Sequence, residues 1–125
     1  MAGMKANAKL ADRLMKLALT YPEAWEDDPW GDTVVKVRKK IFLFCGVHDV
    51  DGRKVLGMTV KLPDSREFAL SFDWTEPTGY GLGKAGWVSC RFPIGSDVPM
   101  DLVEEWIDES YRTVAPKTLV KQLDA

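Results

Sequence analysis

Apolar residues recur along this chain with two periods. The N-terminal part has the 3.6-residue period of an α-helix. Between Lys5 and Leu19 the apolar positions follow the i, i+3, i+4, i+7 spacing of one helical face, at Leu10, Ala11, Leu14, Leu17 and Ala18. Pro22 follows closely and suits a helix end. The pattern predicts an amphipathic helix and then an acidic loop, Glu23 to Asp32, whose Trp25 and Trp30 we expect to cover the end of the core.

A two-residue period comes next and predicts three meandering antiparallel strands. Thr33 to Arg38 and Ile41 to Val47 are rich in β-branched and aromatic residues, and the Lys39-Lys40 pair between them favours a tight hairpin. Asp51-Gly52 accepts the positive φ of a type I′ turn, so Arg53 to Leu62 is expected to return as a third strand. The alternation assigns Leu56, Met58, Val60 and Leu62 to the core and Gly57, Thr59 and Lys61 to the opposite face.

The next stretch carries weaker signals. Pro63 ends the third strand, and Asp64-Ser65-Arg66-Glu67 resembles a capping box that opens a short helix to about Phe72, with a strand as the alternative. Trp74 to Gly86 contains four glycines and a proline, which predicts irregular structure. Trp87 to Phe92 alternates again; Val88, Cys90 and Phe92 are expected in the core, and Trp87, Ser89 and Arg91 outside.

A second amphipathic helix is predicted to start near Pro99. Its apolar stripe runs through Leu102, Val103, Trp106, Ile107 and Val114, and Pro116 ends or kinks it before a short amphipathic tail. The order of elements favours an α+β fold, with an N-terminal helix, an antiparallel meander, and C-terminal helices gathered on one sheet face. The other face is expected to be open to solvent.

Composition narrows the class of protein. The chain has 125 residues, 46% of them hydrophobic, which predicts one domain spanning residues 1–125. It has no apolar run of membrane-spanning length and no secretory signal pattern, so we expect a soluble, cytoplasmic protein without a membrane partner. The net charge is −2. Any binding to nucleic acid must therefore come from a local basic patch.

The sequence offers little catalytic chemistry. Cys45 and Cys90 lie in apolar runs without a second ligand at metal-binding spacing, and we expect both to be buried free thiols. His48, the only histidine, is expected to be an exposed neighbour of a turn. No spacing indicates a catalytic triad. We expect no metal, no cofactor and no enzymatic activity.

Three blocks of the sequence, in order, resemble one family. They are Tyr21-Pro22-Glu23 through Pro29-Trp30-Gly31, Gly79-Tyr80-Gly81-Leu82-Gly83-Lys84 to Trp87, and Trp106-Ile107-Asp108-Glu109-Ser110-Tyr111. Together they resemble the MmcQ/YjbR family over nearly the whole chain. The resemblance implies a CyaY-like, or double-wing, fold and the description "DNA-binding" that the family commonly carries.

The chain departs from the family pattern in the second block. Where the family usually has Gly-Tyr-His-x-Asn-Lys followed by His-Trp, this sequence has Gly81, Gly83 and Gly86 at the His, Asn and His places. Tyr80, Lys84 and Trp87 are kept. A role that needs those imidazoles does not carry over to this chain.

The first functional hypothesis is a nucleic-acid-binding module, with DNA as its partner. The sheet face opposite the core would collect cations around an aromatic residue that can stack on a base. The predicted contacts are Lys36, Arg38, Lys39, Lys40, Arg53, Lys54, Lys61, Lys84, Trp87 and Arg91. An ordinary solvated face, with lysine and arginine protecting its edges, is the alternative interpretation.

The second hypothesis is an adaptor that binds a small ligand or an unidentified protein partner. Its predicted groove is lined by Trp30, Tyr80, Lys84 and Trp87. A third possibility follows from the fold shared with frataxin, whose iron-binding carboxylates resemble the acidic residues between Glu23 and Asp32. A charge run of this kind is more often simply solvated.

Overall fold

The computed structural model describes residues 4–29, 33–79 and 81–125. Within these ranges the helices are α1 (Ala8–Leu19), α2 (Arg66–Ala69), α3 (Met100–Val114) and α4 (Lys117–Leu123), with a 3₁₀ helix at Leu82–Ala85. The strands are β1 (Met4–Lys5), β2 (Ala24–Asp27), β3 (Val34–Val37), β4 (Lys40–Val50), β5 (Arg53–Lys61), β6 (Thr75–Pro77), β7 (Trp87–Pro93) and β8 (Asp97–Val98). The predicted α+β class is confirmed.

Both long helices are amphipathic, as the sequence predicts. α1 begins at Ala8 because Asn7 caps it: the Asn7 Oδ1 accepts a hydrogen bond from the Leu10 backbone N–H at 2.8 Å. The buried faces of α1 and α3 meet the same side of the main sheet and enclose one apolar core. Leu14 and Trp106 are among its most deeply buried side chains.

Six strands form the main sheet within the described residues, in the order β2-β3-β4-β5-β7-β6, and all neighbours are antiparallel. The β4–β5 hairpin turns at Asp51 and Gly52, which have φ of 51° and 81°, so the expected positive-φ turn is confirmed. Val35 pairs with Leu43 but Lys36 pairs with Ile41, which leaves Phe42 as the extra residue of a β-bulge.

Three local predictions are wrong. The predicted acidic loop contains β2, because Ala24 to Asp27 pair with β3. The stretch predicted to be irregular contains β6, which pairs with β7, and the 3₁₀ helix. The residue preceding α2 is Ser65, and it makes no side-chain cap; its hydroxyl hydrogen-bonds to the carboxylate of Glu109 instead, so the capping box does not form.

The sheet face opposite the helices, called the outer face below, is less open than predicted. Val34 pairs with Phe44 on this face and is fully buried, while its neighbour Val35 points into the helix-covered core. Thr78 and Leu82, which follow β6, lie over part of the outer face. None of the helices in the described ranges is long and apolar enough to span a bilayer.

Candidate functional site

The strand register aligns one residue from each strand in a row across the outer face. From one edge to the other the row is Asp27, Val34, Phe44, Thr59, Ser89 and Glu76. Carboxylates stand at both ends, and apolar and hydroxyl side chains lie between them. This composition differs from the basic surface that the sequence predicts for the face.

Three of the predicted phosphate-binding cations are already paired with carboxylates. The Lys36 Nζ lies 2.6 Å from the Asp27 carboxylate. Arg91 lies 3.1 Å from Glu76 at the other edge. Because each cation is neutralised by its partner, these edges of the outer face attract a phosphate only weakly.

Arg38 is the third paired cation, and its predicted strand position is wrong. It lies in the β3–β4 turn with φ of 55°, and its guanidinium is 3.2 Å from the Glu23 carboxylate. Its carbonyl accepts a hydrogen bond from the Trp25 indole N–H at 2.8 Å. Trp25 is 43% exposed and lies beneath the Lys36 ammonium, so the expectation that it covers the core end is also wrong.

Four predicted lysines gather at one end of the sheet, and we call Lys39, Lys40, Lys61 and Lys84 the lysine end. The register puts the start of β4 beside the end of β5, and the Gly86 carbonyl accepts a hydrogen bond from Leu62, which holds the 3₁₀ helix there too. Across the described part of the chain, none of these lysines forms an ion pair.

Arg53 and Lys54 lie at the opposite end of β5. The sequence groups them with Lys39 and Lys40, but the two hairpin turns are separated by the length of the strand, about 20 Å or more. Lys54 lies opposite Asp49 in the β4–β5 register. The ten predicted contacts therefore do not form one surface.

Trp87 is the aromatic residue at the lysine end. It pairs with Lys61 across β5 and β7, is half-buried, and meets the Phe44 ring edge-on at a centroid distance of 5.8 Å. Trp30 and Tyr80, two other members of the predicted ligand groove, lie outside the described residues. Among the described residues, Lys84 and Trp87 are the members of the predicted groove, and both lie at the lysine end.

Two of the acidic residues near β2 are paired with cations. Glu23 pairs with Arg38, and Asp27 pairs with Lys36, whose hydrogen bond keeps the pKa of the Asp27 carboxyl below its ordinary value. Asp32 lies outside the described residues. Within the residues that are described, no three carboxylate, thiol or imidazole side chains converge as metal ligands would.

Sequence comparison identifies the family. A sequence model of the family described as YjbR matches residues 19–113. The chain belongs to the YjbR family. A search of curated proteins finds no match to it.

The third family-like block, Trp106 to Tyr111, makes hydrogen bonds that connect α3 to other parts of the fold. Asp108 accepts a hydrogen bond from the Tyr21 hydroxyl at 2.9 Å, and the Tyr111 hydroxyl donates to the Pro22 carbonyl at 2.7 Å. The Glu109 carboxylate accepts from the backbone N–H groups of Asp64 and Ser65, both at 3.1 Å. The third YjbR block thus ties α3 to the first block and to the β5–α2 connection.

Gly83, in the second of the three family-like blocks, has a steric role. A Cβ on Gly83 would lie 2.9 Å from the Pro77 Cβ and 3.1 Å from the Thr78 carbonyl oxygen. The Gly83 N–H donates to that carbonyl at 2.9 Å. Because a Cβ at this position would require Pro77 or Thr78 to shift, Gly83 allows the 3₁₀ helix to lie this close to the end of β6 in this chain.

Proposed function

We propose that this YjbR-family chain binds nucleic acid at the lysine end of its sheet. Lys39, Lys40, Lys61 and Lys84 contact phosphates, and a base stacks on Trp87. The observation that carries the proposal is that Lys36, Arg38 and Arg91 are paired with carboxylates, whereas the lysines at the end of the sheet that holds Trp87 form no ion pair within the described residues. The family resemblance supports DNA as the partner.

The proposal favours single strands over duplex. An unpaired base exposes its flat face to an aromatic side chain, whereas a base within a duplex is already stacked. Affinity is modest, because the chain carries a net charge of −2 and only a local patch attracts phosphate. Dissociation constants of about 10⁻⁴ to 10⁻⁶ M at physiological salt are typical of such sequence-independent contacts.

The proposal contains no catalytic step. Burial raises the pKa of the Cys45 and Cys90 thiols to about 12, so both are protonated and poorly nucleophilic at neutral pH. We propose a binding module for this reason and because the lysine end presents cations and an aromatic ring rather than an acid–base pair.

Fluorescence anisotropy of a labelled oligothymidylate and of a labelled duplex tests the proposal. We expect tighter binding to the single strand, about tenfold weaker binding for Trp87→Ala, and largely retained binding for Trp87→Phe, which keeps a flat ring. Phe68→Ala is the control, since Phe68 is an exposed aromatic residue in α2. Equal effects of Trp87→Ala and Phe68→Ala, or no binding at about 100 μM, would refute the proposal.

A further inference from the structure

A small cavity opens on the outer face beside the row of aligned residues. Its volume is about 250 Å³, and it is lined by Thr33, Phe44, Cys45, His48, Thr59, Thr78 and Leu82. Pockets that enclose drug-sized ligands measure about 300 to 1,000 Å³, so this cavity suits a smaller molecule of about one ring. The sequence predicts none of these side chains as a binding residue.

Two of the lining residues, Thr59 and Thr78, belong to a chain of three hydroxyl groups that Ser89 completes. The Ser89 Oγ lies 3.2 Å from the Thr59 Oγ1 and 2.9 Å from the Thr78 Oγ1. Each hydroxyl has one proton to donate, and the two contacts use two of the three protons. One donor therefore remains among the three hydroxyls for a ligand, and spare lone pairs remain to accept.

His48 lies flat across the sheet because two glycines face each other beneath it. Gly46 pairs with Gly57, and a Cβ on Gly57 would lie 3.3 Å from the His48 Cδ2. A Cβ on Gly46 would lie 3.6 Å from the His48 Nε2. The paired glycines leave room for an imidazole, which when neutral offers one donor and one acceptor at the rim of the cavity.

The other walls are uncharged and mostly apolar. Phe44 contributes an aromatic ring whose position is fixed by edge-on contact with Trp87. Leu82, in the 3₁₀ helix, is 39% exposed and adds an aliphatic surface. No lysine, arginine, aspartate or glutamate is among the described residues that line the cavity, so a charged ligand would lose hydration without gaining a counter-ion.

We propose that this cavity binds a small, flat, neutral heterocycle that carries adjacent hydrogen-bond donors and acceptors, of the kind found in a pyrimidine base. The ring packs against Phe44 and Leu82, while its polar edge bonds to the Thr59–Ser89–Thr78 hydroxyl chain and to His48. The site does not depend on phosphate binding at the lysine end. The ring arrives either free or as a base of a single strand, and separate probes distinguish these sources.

The test is a two-dimensional ¹H–¹⁵N NMR titration of the full chain with uracil, to about 20 mM because fragment-sized ligands bind weakly. We expect shifts centred on the amides of Phe44, His48, Thr59 and Thr78. Orotate, which is uracil with an added carboxylate, is expected to bind at least several-fold more weakly. Thr59→Val, which removes the hydroxyl but keeps the shape and β-propensity, is expected to weaken uracil binding about tenfold.

Two further variants keep the test decisive. Leu82→Ser, at an exposed position in the 3₁₀ helix, is expected to weaken uracil binding if Thr59→Val does not fold. The Lys39→Ala, Lys61→Ala double variant is expected to leave uracil affinity unchanged while weakening oligothymidylate, which separates this site from the proposed nucleic-acid function. Absence of shifts at the four amides, equal binding of uracil and orotate, or full affinity in both cavity variants would overturn the inference.

Discussion

The hydroxyl of Ser110 donates a hydrogen bond to the carbonyl of Phe42, the extra residue of the β-bulge between β3 and β4. The same oxygen accepts from the Lys61 backbone N–H at 2.9 Å. A bulge leaves backbone groups without ladder partners, and buried groups of this kind are costly unless they are satisfied elsewhere. Ser110 is fully buried and joins α3 to the strand end that carries Lys61.

Ser110→Ala is therefore expected to lower the free energy of unfolding by about 2 kcal/mol or more, because it leaves two backbone groups unpaired. Urea denaturation measures the change. Ser71→Ala is the matched control: the Ser71 hydroxyl also bonds to a backbone carbonyl but is exposed, so the expected change is within about 0.5 kcal/mol. Equal losses in the two variants would contradict the bridging role of Ser110.

Gly83→Ala is expected to destabilise the fold by about 1 to 3 kcal/mol, because its Cβ would meet Pro77 at 2.9 Å. Gly79→Ala supplies the comparison, since a Cβ there has no neighbour within 4 Å. Thermal unfolding of both variants measures the difference. If Gly83→Ala is as stable as Gly79→Ala, the 3₁₀ helix does not depend on this close approach.

Lys36→Ala is expected to raise the pKa of the Asp27 carboxyl toward its ordinary value of 3.8, because the lysine hydrogen bond is the largest cause of the depression. In the parent protein the stabilisation from this pair is present above that ordinary value and is lost as the pH falls through the depressed pKa. Carboxyl ¹³C NMR follows the titration.

Lys36→Ala also distinguishes the two candidate binding surfaces, the lysine end and the outer face. Because Lys36 is neutralised by Asp27, its removal is expected to leave the salt dependence of nucleic-acid binding unchanged. A flatter salt dependence in Lys36→Ala would instead favour the original sheet-face hypothesis, in which this lysine contacts phosphate.

Cys45 and Cys90 are expected to resist a thiol reagent at pH 8 in the folded protein and to react after unfolding in urea, because both thiols are buried. Their raised pKa also links stability to pH. Between pH 9 and 12 the unfolded chain loses thiol protons that the folded chain keeps, so the free energy of unfolding falls as the pH rises. Rapid reaction of either thiol in the native protein would contradict this.

The helices, the meander and the family were predictable because each rests on a local pattern. The burial of Leu56, Met58 and Val60 on one side of β5 follows from alternation, and the turn at Asp51-Gly52 follows from backbone preference. The strand β2 was not predictable in this way. It is stabilised by pairing with β3, and its Asp27 is brought to the Lys36 cation only by the fold.

The site was less predictable than the fold. Alternation placed Thr59, Ser89 and Trp87 together correctly, but it could not show that Lys36 and Arg91 face carboxylates on neighbouring strands. The bulge at Phe42 also broke the simple alternation. The residues of the family-like blocks make mainly packing and loop contacts, as Tyr111 and Glu109 illustrate. These blocks therefore predict the fold better than they predict a ligand.

The salt dependence of oligothymidylate binding tests the lysine end most directly. Four phosphate contacts predict a slope of about −3 in log affinity against log salt concentration. The Lys61→Ala, Lys84→Ala double variant is expected to reduce the magnitude of the slope by about 1.5, whereas the Arg53→Ala, Lys54→Ala variant, with the same change in net charge, leaves it unchanged. Equal slopes in the two variants, or a larger reduction in the second, would contradict the assignment of phosphate binding to the lysine end.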